Sequence, residues 1–153
     1  MKRFENLLAL VSGGALFAMM CLTFVDMIGR KFFHASITGG LELTEIAMLL
    51  MIFFALPLTS ISGEHIVFDL LDRVVPPRMR RWQHMIAHLV AAALFLGGAW
   101  VVELRAARAV EYGDTTAQLG IPLGPFQYLI VAMLALTGII HFLLALHRIE
   151  EHR

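Results

Sequence analysis

The side chains best able to do chemistry stand at the ends of long apolar runs. Glu42 and Glu45, three residues apart, open the run Leu41–Ser60 and share a face if that run is helical. Carboxylates there meet the positive end of a helix dipole, or they form a cation site. Asp26 and Arg30 close the preceding run four residues apart, acid first, the favourable order for a local ion pair. With Arg30 and Lys31 opposite Glu42 and Glu45, the spacing predicts a charge network at one mouth of the molecule. A sharper use of the Asp26–Arg30 pair is to dock a partner.

Histidine offers a second chemistry. His88 lies a turn or two inside the third apolar run, and His141 is similarly deep from the end of the fourth, so the two can share a level. That arrangement serves a bis-histidine haem or a hydrogen bond between helices. His84, His147 and His152 are expected at the interface. Cys21 is the only cysteine, which forbids an internal disulfide and fits ordinary packing. No metal-binding Cys/His cluster, phosphate-cradling glycine loop or nucleophile elbow is present, so an enzyme is not expected.

The elements that carry these groups follow from composition. Of 153 residues, 59% are hydrophobic and 16% charged, with mean hydropathy +0.77, against about 45–50% and about 25% in soluble domains. The expected fold is an all-α integral membrane protein, a single domain over 1–153. Four spans, about 7–28, 41–60, 83–106 and 122–147, are each long enough for a hydrocarbon core of roughly 30 Å. Lipid supplies no backbone hydrogen-bond partners, so the spans form helices in one bundle. The first run stays apolar to Ile28, longer than a secretory signal core, and is expected to remain in place.

Punctuation divides the spans. Ser36-Ile37-Thr38-Gly39-Gly40 reads as a turn, and Pro57 is expected to break or kink the second helix. His65 to Val74 mixes apolar and charged residues as a short amphipathic helix lying in the headgroup plane or packed on a neighbouring subunit, ended by Pro76-Pro77. Arg78, Arg80 and Arg81 then anchor the start of the third span. That span is rich in small residues, with Ala93 and Gly97 four apart, and its flat face suits either the internal bundle or an outside partner. Tyr112 to Thr116 is a turn, and Pro122 suits the first turn of the last helix.

Basic residues orient the chain. Eight Lys and Arg fall on the side of the termini and the middle loop and four on the other, which puts both termini in the cytoplasm. Trp82 and Trp100, toward opposite ends of the third span, suit interfacial anchors. The middles of all four spans lack ionisable Asp, Glu, Lys or Arg, and no inverted repeat relates the halves, which disfavours a carrier acting alone. A subunit packed beside a larger one fits better.

The series Asp26…Gly29-Arg30, Gly40-Leu41-Glu42-Leu43-Thr44-Glu45, Gly63-Glu64-His65-Ile66 with Asp69-Leu70-Leu71, Pro76…Arg80-Arg81 and Leu119-Gly120-Ile121-Pro122 resembles the small, DctQ-like membrane subunit of tripartite ATP-independent periplasmic (TRAP) transporters. The resemblance covers nearly the whole chain through order and spacing, since each piece alone is a short turn or cap.

It implies a scaffold subunit of a sodium-coupled, binding-protein-dependent carrier for a dicarboxylate or other organic acid, in a bacterial inner membrane. The implied partners are a large DctM-like transport subunit, a periplasmic DctP-like binding protein and the lipid bilayer, with no nucleic acid. It implies no cofactor in this chain, sodium belonging to the large subunit. Carried over by position, Asp26, Arg30, Glu42 and Glu45 form a periplasmic-side network, and Gly63, His65 and Asp69 a cytoplasmic hinge. A haem-b membrane anchor of an oxidoreductase and a self-sufficient small exporter are the alternatives.

Overall fold

Residues 2–62 and 77–150 are described by a computed structural model, with side chains from 3 to 61 and from 82 to 146. The described chain is helical apart from two turns: α1 (Lys2–Phe33), α2 (Gly40–Ser62), α3 (Pro77–Tyr112) and α4 (Gly124–Glu150). All four are long and apolar enough to cross a membrane. At about 1.5 Å per residue the 36-residue α3 measures about 54 Å, well beyond a core of roughly 30 Å, so it projects from the bilayer. Trp82 and Trp100, at 63% and 70% exposed, stand on its outer surface. The amphipathic segment expected from His65 to Val74 lies outside the described residues.

The four-helix bundle has a definite order of neighbours. α1 lies against α2, α2 against α4, and α4 against α3, and no contact of similar extent closes α3 back onto α1 among the described residues. The bundle is therefore open, with α2 and α4 inside and α1 and α3 on the flanks. Among the described side chains of α1 only Leu8 and Ala15 are buried, while Leu10, Phe17, Met20 and Phe24 face outward. Lipid or protein must cover such a surface.

The α3–α4 contact is built from small residues. Ala92, Ala99, Ala106 and Ala109 are buried on α3, and Gly138 of α4 comes so close that a Cβ there would stand 2.8 Å from Leu96 Cγ and 3.3 Å from its backbone nitrogen. Ala93 and Gly97, the pair four apart in sequence, are instead exposed, and a Cβ on Gly97 would meet nothing within 4 Å. The flat face is thus split: one stripe serves the bundle, and the neighbouring one points away from it.

Pro57 does not break its helix, and Pro122 departs from its expected place. Pro57 is buried, yet α2 continues past it to Ser62. Just beyond it Thr59 Oγ1 and Ser60 Oγ both donate back to the Leu56 carbonyl, at 2.9 and 3.0 Å, so neither hydroxyl is left unsatisfied in the helix. Pro122 precedes α4 and is not in its first turn; it bridges to Thr115, and Leu123 N–H donates to the Asp114 carbonyl at 3.0 Å, so the helix begins at Gly124, with the Leu123 carbonyl taking its first bond from Gln127 N–H at 3.1 Å.

Candidate functional site

The two turns at the same end of the bundle are fastened by two carboxylates. α1 ends at His34, which takes a left-handed conformation (φ 50°), and the chain doubles back over Ser36 and Ile37. Asp26, one face down the helix, receives them: its Oδ1 accepts the Ile37 N–H at 2.9 Å and the Ser36 hydroxyl at 3.2 Å, while Oδ2 pairs with Arg30 at 2.7 Å. The predicted Asp26–Arg30 pair is therefore present, and it carries a third task, closure of the turn. Arg30 remains 67% exposed.

Glu42 departs from the expected network. It sits in the first turn of α2 but is buried at 8% exposure and directed at the α3–α4 loop. Its Oε1 accepts the Gln118 N–H at 2.6 Å and its Oε2 the Leu119 N–H at 3.0 Å, with the Thr116 hydroxyl and Ala117 amide also facing the carboxylate. Gln118 answers by accepting the Gly39 N–H on its Oε1 at 2.8 Å. Charge-assisted bonds of this sort are stronger than neutral ones, and they span more than 70 residues of sequence here. Glu42 and Glu45 thus do not form one patch facing Arg30 and Lys31: Glu42 is consumed by loop amides, and Glu45 is exposed with no ion pair among the described residues. The Gln118 and Leu119 amides point from the loop toward α2, and the acid in the first turn of that helix is the acceptor they meet.

Gly39 completes the clasp. Its φ of +75° is costly for any residue with a side chain, and a Cβ there would run into the side chain of Leu119. Gly39→Ala should lower stability by about 1–3 kcal/mol through strain and overpacking together. Thermal unfolding in mild detergent measures it, and Leu119→Ala in the same chain should restore only the steric part.

At the other end of the helices three side chains from three elements meet. His88 of α3 and His141 of α4 place their Nδ1 atoms 3.1 Å apart, and His141 Nε2 lies 3.2 Å from Ser60 Oγ of α2. Ser60 Oγ also donates to the Leu56 carbonyl at 3.0 Å, and the tautomers of the two rings set which nitrogen donates in each of the other contacts. Phe95 stacks on His141 at 5.6 Å and 5°. His141 and Ser60 are buried, at 3% and 2% exposed. The shared level read from the sequence is real, and in it the rings hydrogen-bond one another across the bundle. Ser60→Ala should cost about 0.5–1.5 kcal/mol, read as a lower unfolding midpoint, because it removes the buried hydroxyl that ties α2 to His141.

The matched pattern of the chain now bears on this arrangement. Over residues 19–151 it matches the family described as tripartite ATP-independent periplasmic transporters, DctQ component. The chain belongs to the DctQ family. The match runs from the middle of α1 through α4 and so takes in both carboxylate fastenings and the histidine pair. DctQ is a component of a transporter and not an enzyme. No curated protein matches the chain.

Among the other residues singled out in sequence, Gly63, His65 and Asp69 lie outside the described residues. Arg80 and Arg81 fall in the first turns of α3, but their side chains lie outside what is described. Sequence reasoning missed Gln118, Thr116, Ser36 and Ser60. The Gly39-Gly40 and Gly120-Ile121-Pro122 turns marked the right neighbourhood, but nothing local to Gln118 marks it as a clasp residue.

Proposed function

We propose that this DctQ component is the static scaffold beside a large DctM-like transport subunit in sodium-coupled, DctP-dependent uptake of an organic acid. The supporting observation is where its charges go. Asp26 and Glu42 are spent on fastening turns, and the middles of the spans contain no Asp, Glu, Lys or Arg to bind an ion or a carboxylate substrate. A chain so built holds a frame and leaves substrate and sodium to its partner. It needs no cofactor of its own in this reading. It sits in the bacterial inner membrane with both termini cytoplasmic, Arg80 and Arg81 at the cytoplasmic surface, and Gly63, His65 and Asp69 forming the hinge there.

Extraction in mild detergent, pull-down of this chain and identification of what accompanies it test the proposal. A large multi-helix membrane protein should co-purify, and vesicles holding both subunits should take up a dicarboxylate only with the periplasmic binding protein and sodium added. Uptake by vesicles holding this chain alone would overturn it.

A further inference from the structure

We propose that α1 and the start of α2 form a binding site for one anionic phospholipid, which lies along α1 with its phosphate between Arg30 and Lys31. Two adjoining cavities carry the inference. One, of about 640 Å³, is an apolar trough whose lining includes Phe17, Met20, Cys21, Phe24 and Thr44. The second, of about 560 Å³, is lined by Thr23, Asp26, Met27, Arg30 and Lys31, and shares Thr23 and Met27 with the first. The trough therefore opens into a cationic head at the end of the span.

Three physical features fit this occupant. Thr23 and Thr44, the hydroxyl residues lining the trough, both give their protons to their own helix, to the Met19 and Gly40 carbonyls at 2.8 Å each, so neither leaves a stranded donor against an acyl chain. From Phe17 to Lys31 the helix rises about 21 Å, the depth of one leaflet with its headgroup layer in a bilayer of about 40–45 Å. The acid at the head, Asp26, already accepts from Ser36, Ile37 and Arg30, whereas Arg30 is largely exposed and Lys31 makes no ion pair among the described residues. One acid against two cations leaves the head with formal charge +1, which favours an anionic headgroup over a zwitterionic one. A transmembrane helix of a partner would fill the trough but has no phosphate to meet the cations. The inference is independent of the transport reading above.

The complex extracted with this chain, delipidated on a detergent column, is to be titrated with phosphatidylglycerol and with phosphatidylcholine and followed by native mass spectrometry. Phosphatidylglycerol should be retained in preference, with about a fivefold loss of its affinity in Lys31→Gln, which leaves the Asp26–Arg30 pair intact, and a greater loss in the double variant R30Q/K31Q. Met20→Trp, which fills the trough, should weaken both lipids while leaving the headgroup preference. Unchanged phosphatidylglycerol binding in K31Q and R30Q/K31Q overturns the proposal. So does displacement of the lipid by inorganic phosphate, which would make the head a free-phosphate site. Cross-linking of Cys21 to a partner helix in the assembled complex would likewise overturn it, by giving the trough to protein.

Discussion

Replacing Glu42 by alanine should detach the 113–123 loop from α2, with a larger loss than any other single change at that end of the molecule. The carboxylate accepts two backbone amides directly, at 2.6 and 3.0 Å, and no second acceptor for either amide is found among the described residues. Removing it takes away the protein acceptor of both part-buried amides at once and unties the loop from α2. The thermal unfolding midpoint in detergent should fall by roughly 5 °C, and the loop should become sensitive to protease. Glu42→Gln, which keeps one acceptor oxygen, should lie between. Gln118→Ala tests the reciprocal bond to Gly39, and its effect should be less than additive with that of Glu42→Ala, because both act on one clasp. Glu45 is the control. It is exposed on the same helix turn, so Glu45→Lys should leave the midpoint unchanged, and any defect should emerge only in assembly or uptake. A stable Glu42→Ala chain would mean that the loop is held by its own turns alone.

Gly138→Val should open the α3–α4 contact. The added Cβ would stand 2.8 and 2.9 Å from Leu96 Cγ and Cδ2, and the branched methyls would then press on the α3 backbone, already 3.3 Å away at Leu96 N. Overpacking of this kind typically costs about 1–3 kcal/mol. Because a close helix approach in lipid rests on van der Waals contact and not on exclusion of water, the lost contact has little to replace it. Leu96→Ala should relieve part of the clash, making the double variant more stable than Gly138→Val alone. Gly97→Val offers the contrast: with nothing within 4 Å of its Cβ it should leave the fold intact, and any effect it has should concern a molecule outside the chain.

The four membrane helices, their approximate limits and the concentration of charge at their ends were legible from residue order alone. Hydrophobic length is a local property, and a polar side chain in lipid is expensive wherever the rest of the chain goes. The Asp26–Arg30 pair was legible for the same reason: its geometry is set by one helix turn. What stayed hidden was every contact between helices. The sense in which Ala92 and Ala99 face α4 while Ala93 and Gly97 face away could not be read, because lipid and protein neighbours ask for the same apolar surface and so leave no polar stripe to mark the outside.

The partner of Glu42 was hidden more completely. In sequence the acid looks like a helix cap set opposite Arg30 and Lys31, and the charges were expected to find one another. The fold brings a loop 76 residues away within reach first, and its unpaired amides take the carboxylate. His88 and His141 show the division most clearly. Their depth along two spans told that they share a level, but only the order of packing, with α4 between α2 and α3, brings His88 to one nitrogen of His141 and Ser60 to the other. Sequence thus determined which segments enter the membrane and where their polar groups stand along its normal. Tertiary structure decided which of those groups meet, since sideways placement in a bilayer is set by packing between helices and leaves no period in the chain.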